Sequence, residues 1–219
     1  MLLHKADFSL MAQSSNEEYL QDLGKNALIF SGKEQTKYPT HFIGDPYYSQ
    51  QNILTGTLSY DNIIYQSVMM RLDAYQDELS ILTENGAITI TLHPEYFNHV
   101  KFNGKFIFYQ KKEKNYIPFI GYYIQHYNNE LQIIEKPECT MRQRKDGTKI
   151  VSTFQKRSKF YIVKDNEYTL IKNEASIFKL FKDQKKELKE YIRYQNLDFK
   201  KDPISFIENI AKKYEGITR

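Results

Sequence analysis

The chain has 219 residues, of which 41% are hydrophobic and 26% are charged, so it is long and apolar enough to bury a globular core. Its single cysteine, Cys139, excludes an internal disulfide framework and a cysteine-based zinc site. The net charge of +4 comes from residues 172–219, which contain 12 basic and 8 acidic side chains.

The N-terminal segment, residues 1–25, has two interpretations. Ala12 is followed by Gln13, which resembles the small-residue end of a signal peptide. The residues before it are interrupted by polar side chains and are too few for an apolar export core of about 7 to 15 residues. The segment is therefore either the remnant of a signal peptide or a cytoplasmic N-terminus, and the pattern of Asn16–Gly24 is typical of a short helix.

Residues 26–171 predict a long antiparallel β-meander. After a loop-rich entry to about residue 49, short runs rich in β-branched and aromatic residues are separated by turn dipeptides. Two-residue turns of this kind connect antiparallel strands only. The predicted turns are Asp61–Asn62, Asn85–Gly86, Asn103–Gly104, Asn128–Asn129, Asp146–Gly147 and Asp165–Asn166.

From residue 172 the apolar period changes to three and four residues, which predicts helices. Asp202 and Pro203 are a favourable cap and first position for the last of these helices. We expect the apolar stripes to pack on the sheet. Their members are Ile177, Leu180, Phe181, Leu188, Tyr191 and Ile192 in the first part, and Ile204, Ile207, Ile210, Ala211 and Tyr214 in the last helix.

The lysine-rich segment 178–202 has two readings. Lys185 and Lys189 belong to a basic run that could hold an acidic partner such as nucleic acid. The run is interleaved with Asp183, Glu187 and Glu190, which compensate it locally. It also lacks the motifs of known nucleic-acid-binding modules. The pattern therefore favours a solvated helix face, and nucleic acid is an unlikely partner.

No catalytic, cofactor-binding or metal-binding residue can be assigned from the sequence. There is no nucleophile elbow, no phosphate-binding glycine loop and no histidine set with metal-ligand spacing. No apolar run reaches the roughly 18 to 20 residues of a transmembrane helix. An enzyme without a recognisable motif stays a third alternative.

An aromatic stretch, residues 116–127, suggests a ligand-binding surface if its side chains converge on one face of the sheet. The alternative is that it is a core strand. The candidate ligand-facing aromatics are Tyr116, Phe119, Tyr122, Tyr123 and Tyr127.

The order of four motifs resembles that of a widespread group of exported proteins from Bacteroidota. They are "GDPYY" (residues 44–48), "GTLSYDNIIYQSVMMRLDAYQDEL" (56–79), "FNGKFIF" (102–108) and "KNEASIFKLFKDQKKELKEYIRYQNLDFKKD" (172–202). The resemblance implies export to the periplasm or cell envelope and supplies no catalytic residue.

These observations predict a single α+β domain over residues 26–219: a curved antiparallel sheet or half-barrel at about 26–171, then two or three helices at about 172–219. We expect a non-enzymatic cell-envelope protein that binds a lipid, another apolar ligand or an envelope protein. The alternative is a cytoplasmic protein that holds an acidic partner through its basic C-terminal helices.

Overall fold

A computed structural model describes residues 28–35, 37–49, 52–83, 88–110 and 120–218, and the fold is given for these ranges. Segment 1–25, with its predicted helix at Asn16–Gly24, and the predicted Asn85–Gly86 turn lie outside them. The described strands are β1 (Lys33–Glu34), β2 (Leu54–Tyr60), β3 (Ile63–Asp73), β4 (Glu78–Leu82), β5 (Thr89–Thr91), β6 (Phe97–Phe102), β7 (Lys105–Gln110), β8 (Gly121–Asn128), β9 (Gln132–Asp146), β10 (Lys149–Lys164) and β11 (Glu167–Ile171).

The strands form one open antiparallel sheet, as predicted, in the order β1-β5-β4-β3-β2-β6-β7-β8-β9-β10-β11. The turns at Asp61–Asn62, Asn103–Gly104 and Asp165–Asn166 are confirmed, because both residues of each pair have positive φ. The predicted turn at Asn128–Asn129 is instead a loop of residues 129–131. In that loop the Leu131 N–H donates to the buried Glu215 carboxylate at 2.7 Å.

The sheet curves until distant strands meet. In the strand order, four strands separate β3 from β9, yet the Cys139 N–H donates to the Ala74 carbonyl in the β3–β4 turn at 2.9 Å. The Asp77 carboxylate in the same turn accepts a 2.6 Å bond from buried Lys136 on β9. Burial lowers the pKa of Lys136, and the neighbouring carboxylate opposes that shift. These contacts give the predicted half-barrel.

Gly121, the first residue of β8, lies against the Lys136–Asp77 pair. Its φ is +140°, and a Cβ atom there would lie 1.8 Å from Asp77 Oδ2 and 2.5 Å from Lys136 Nζ. Only glycine leaves room for the ion pair at this point and adopts this φ without strain.

The entry segment, residues 37–49, crosses the remaining gap. Ile43 forms a parallel bridge with Thr153 on β10, and Tyr47 forms an antiparallel bridge with Asp73 on β3. The buried Asp73 carboxylate accepts bonds from the Tyr38 hydroxyl and from backbone N–H groups of its own turn. The entry segment therefore connects β10 with β3 across the open side of the half-barrel.

Three α-helices follow in the described part of the chain: α1 (Glu174–Leu180), α2 (Lys185–Gln195) and α3 (Pro203–Thr218), with a 3-10 turn at Lys182–Gln184. Asn173 caps α1, and the Asp202 carboxylate accepts the Ser205 N–H at 3.1 Å, which confirms the predicted start of the last helix. Left-handed Asn196 ends α2.

The core has two main parts. Side chains from β2 to β8 form one contiguous cluster, which places them on the inner face of the curve. The helices pack on β9, β10 and β11 in a second cluster. The predicted helical stripes are half-buried or fully buried, and the lysines of α1 and α2 are exposed as expected.

Candidate functional site

The candidate ligand-facing aromatics do not meet at one surface. Tyr116 and Phe119 lie outside the described residues. Tyr122 and Tyr123 are fully buried on opposite faces of β8, since neighbouring residues of a strand point to opposite sides. Tyr127 lies under α3, where its hydroxyl donates to Glu215 at 2.6 Å. The three described side chains therefore belong to three separate clusters.

The packing partners show what these tyrosines do. The Tyr122 ring meets Phe97 at 5.2 Å and Tyr109 at 4.8 Å on the inner face. The Tyr123 ring stacks on Phe108 at 5.6 Å on the outer face. Edge and stacked contacts of this kind stabilise a core. The inner face is therefore filled by the protein's own side chains along β8.

A buried polar network lies where the two main core clusters adjoin. The Glu135 carboxylate accepts hydrogen bonds from Tyr48 at 3.0 Å, from His126 Nε2 at 2.6 Å and from Ser158. Burial alone would raise the pKa of Glu135, but the bonds from His126 and Ser158 outweigh it and hold the pKa below its ordinary value. The network joins β8, β9, β10 and the entry segment.

This network contains serine, histidine and glutamate, but its geometry differs from that of an activated nucleophile. Ser158 donates to the carboxylate, and histidine contacts the same carboxylate, so no base faces the serine hydroxyl. The His126 and Glu135 side chains are 1% and 7% exposed, which leaves no room for a substrate. The arrangement joins neighbouring strands, and its geometry does not activate the serine as a nucleophile.

An open groove of about 840 Å³ lies beside the first half of β3, and we call it the β3 groove. One wall is residues 64–69 of β3, and the other is residues 81–83 at the end of β4. Ile29 and Phe30 complete it. Ile64 on the β3 wall is 65% exposed and Phe30 is 46% exposed, so the groove presents large apolar side chains to solvent.

The groove exists because β3 and β4 separate. β4 pairs with residues 70–73 of β3 and then continues with β5 alone. At Ser67, which has a φ of +54°, the pairing of β3 with β2 shifts register. Such a bulge bends a strand and increases its twist. Within the described ranges, β4 therefore pairs with residues 70–73 of β3 and not with residues 64–69, which line the groove.

The β3 groove has no charged residue among its described lining residues, although 26% of the chain is charged. A groove with exposed apolar groups and no charged residue in its described lining is typical of a surface that binds a partner. The sequence carries a signal for it, since residues 62–70 contain no charged side chain.

A second surface is strongly basic. Five exposed lysines, here called the lysine band, follow the end of β11 and the first two helices: Lys172, Lys179, Lys182, Lys185 and Lys189. They line two adjoining open grooves of about 820 and 550 Å³. In the described part of the chain none of the five forms an ion pair.

The expected local compensation of this charge is incomplete on α2, although Glu174 lines the same groove as four of the lysines. At about 100° per residue, Lys185 and Lys189 fall on one flank of α2, whereas Glu187 falls on the other. Asp183 accepts a hydrogen bond from Tyr214 at 3.1 Å and so is held against α3. Of the acidic residues that alternate with these lysines in the sequence, Glu187 is therefore turned away from Lys185 and Lys189 by the helix.

Comparison with protein-family models, curated protein sequences and solved structures finds no match to this chain. Within the described ranges, no three histidine, cysteine, aspartate or glutamate side chains are placed to hold a metal ion. Over the same ranges, no helix has the length and apolar character needed to cross a bilayer.

Proposed function

We propose that this chain is a non-enzymatic interaction protein of the cell envelope, and that it binds its partner in the β3 groove. The observation that carries the proposal is the groove's exposed apolar side chains, Ile64 and Phe30, with no charged residue in the described part of its lining. The inner face of the half-barrel holds the protein's own core, which favours a surface groove over an internal lipid cavity. The resemblance of the motif order to exported proteins of Bacteroidota supports the location.

Two experiments test the two parts of this proposal. Cell fractionation with N-terminal sequencing of the native protein should recover it in the envelope, with a mature start near Gln13; a form that retains Met1 in the cytoplasm would contradict the location. Capture of partners should be compared for the wild type, Ile64→Lys and Ile150→Lys.

Ile150 is the matched control, because it is an isoleucine on β10 with 66% exposure, against 65% for Ile64 on β3. We expect Ile64→Lys to lose the specific partner and Ile150→Lys to keep it. Equal capture by both variants would contradict binding in the groove.

The lysine band supports a second candidate function, the binding of an acidic partner. Five lysines without an ion pair in the described residues offer uncompensated positive charge, and affinity of this kind comes from counterion release. Binding of single-stranded DNA should then weaken steeply as salt rises, and Lys185→Glu with Lys189→Glu should weaken it further. The matched control is Lys200→Glu with Lys201→Glu, two exposed lysines between α2 and α3. If the first double substitution leaves the affinity unchanged, this second function is wrong.

A further inference from the structure

We infer that the hairpin end of β9 and β10, residues 142–150, binds a bilayer surface rich in anionic phospholipids. We call these residues the ribbon tip. The inference goes beyond the proposed function, because it concerns a surface other than the β3 groove and names its partner by chemistry. It follows from the projection of the tip, from its charge and from one exposed isoleucine.

The ribbon tip projects from the sheet. Within the described ranges, β8 pairs with β9 only at residues 132–135, and β11 pairs with β10 only at residues 160–164. Beyond these points β9 and β10 pair with each other as far as Asp146 and Lys149. Among the described residues, the nearest hydrogen bond from outside the ribbon reaches the Ser152 carbonyl. All residues of the tip are exposed, and at about 3.4 Å per residue they extend roughly 10 Å beyond that bond.

The ribbon tip is strongly basic. It contains four basic side chains and one acidic one, a net charge of +3. The cations are Arg142, Arg144, Lys145 and Lys149. In the part of the chain that the structure describes, the one ion pair at the tip joins Arg144 to Asp146 at 4.0 Å, between side chains that are 73% and 69% exposed. Such a contact is weak, so the charge is available to an anionic partner.

The cations lie on both faces of the ribbon. Arg144 pairs across the strands with Val151, and Lys145 pairs with Ile150. Because neighbouring residues of a strand point to opposite sides, these two pairs lie on opposite faces. A partner that lies against one face would reach only part of the charge. A flat surface that meets the tip end-on reaches the cations of both faces.

Ile150 distinguishes a lipid surface from other polyanions. Its side chain is 66% exposed and lies opposite Lys145 near the end of the ribbon. Nucleic acid attracts cations through its phosphate backbone, to which an isoleucine adds no charge. A bilayer offers anionic headgroups to cations and hydrocarbon just below them to an apolar side chain. The ribbon tip therefore fits an anionic bilayer better than a nucleic acid.

The first test uses fluorescence, because the chain contains no tryptophan. Ile150→Trp places a single reporter at the tip, and Tyr194→Trp places one on α2, where the native side chain is 85% exposed. Each full-length variant is mixed with vesicles of phosphatidylcholine and phosphatidylglycerol in equal parts, and with vesicles of phosphatidylcholine alone. We expect the emission from position 150 to shift to shorter wavelength with the anionic vesicles only, and the emission from position 194 to stay unchanged.

The second test measures the partition of the protein onto the same anionic vesicles by sedimentation. Each cation near an anionic surface contributes about fivefold in affinity. Arg144→Glu with Lys149→Glu should therefore lower the partition coefficient at least about tenfold. The control is Lys200→Glu with Lys201→Glu, which makes the same change in net charge on another element and should lower it less than about threefold, since distant charges are screened. Ile64→Lys should bind the vesicles as the wild type does.

Four results would overturn the inference. They are no shift of the reporter at position 150, an equal shift with the neutral vesicles, equal losses of partition for the two double variants, and tighter binding of duplex DNA than of the vesicles. The last would make nucleic acid the partner of the ribbon tip. None of these results decides the proposed function, because Ile150→Lys should keep the partner captured by the β3 groove even where it lowers vesicle binding.

Discussion

Replacing Glu135 with glutamine tests the buried network that joins four parts of the fold. The carboxylate accepts from three side chains, of which Tyr48 and His126 contact the same oxygen. The glutamine amide can point its oxygen to Tyr48 and His126 and its NH₂ group to Ser158, whose hydroxyl oxygen can accept. The substitution thus keeps the three contacts but turns bonds to a buried charge into weaker bonds between neutral groups.

The magnitude follows from these contacts. Hydrogen bonds to a charged group contribute about 1.5 to 3 kcal/mol each. Part of that loss is offset, because a neutral amide costs less to bury than a carboxylate. We expect Glu135→Gln to lower the free energy of unfolding by about 2 to 4 kcal/mol, measured by urea denaturation at pH 7.

Glu138→Gln on the same strand is the matched control. Glu138 accepts a 2.6 Å bond from Lys159, but both side chains are about one third exposed, so the loss should be below about 1 kcal/mol. The Glu135 and Glu138 carboxylates both accept short hydrogen bonds, but they differ strongly in how deeply they are buried. Equal losses, or a loss below about 1 kcal/mol for Glu135→Gln, would refute the role given to the network.

The pH dependence supplies a second check of the same substitution. The pKa of Glu135 is lower in the folded protein than the ordinary value of 4.5. Its stabilising contribution is therefore complete above pH 4.5 and is lost as the pH falls through the folded pKa. The difference between wild type and Glu135→Gln should narrow below pH 4.5. A difference that widens in acid would contradict the assignment.

Three further predictions concern stability. Gly121→Ala should cost about 3 kcal/mol in chemical denaturation, because a φ of +140° is strained for a residue with a Cβ and that Cβ would collide with the Lys136–Asp77 pair. In contrast, Gly216→Ala in α3, where a Cβ meets nothing within 4 Å, should stabilise by about 0.5 to 1 kcal/mol. Leu188→Asp should cost about 4 kcal/mol or more, since Leu188 is fully buried on the packed face of α2; unchanged thermal stability would refute the docking of that helix. Burial raises the pKa of Tyr48 and Tyr122 far above 10, so the stability that their neutral hydroxyls contribute below pH 10 should be lost as the pH rises beyond 10. Absorbance at 295 nm should show these tyrosines ionising only when the protein unfolds. Free titration of both near pH 10 would contradict their burial.

The strands and helices could be predicted from the sequence because their signals are local. Asp61–Asn62 and Asp165–Asn166 specify turns through their own backbone preferences, and the period of the apolar residues distinguishes the sheet from the helices. The two or three helices and the antiparallel pairing within each hairpin follow from the same signals, whereas the pairing of β2 with β6 does not. The curvature of the sheet could not be predicted in this way, because it depends on contacts such as that of Tyr48 with Glu135, two residues that are 87 positions apart in the chain.

The candidate sites were less predictable for the same reason. The aromatic stretch was singled out by composition, but strand alternation sends Tyr122 and Tyr123 to opposite faces. Glu187 lies between Lys185 and Lys189 in the sequence, but the helix places it on the opposite flank. The β3 groove depends on the residue at which β4 leaves β3, a register that the sequence does not display.

The most direct test of the account is photo-crosslinking from residue 64 in living cells. A photoreactive amino acid replaces Ile64 in one strain and Ile150 in another, two positions of nearly equal exposure on different strands. We predict a discrete polypeptide adduct from position 64, recovered with the envelope, and none from position 150. The absence of an adduct at position 64, or the same adducts from both positions, would contradict a partner-binding role for the groove.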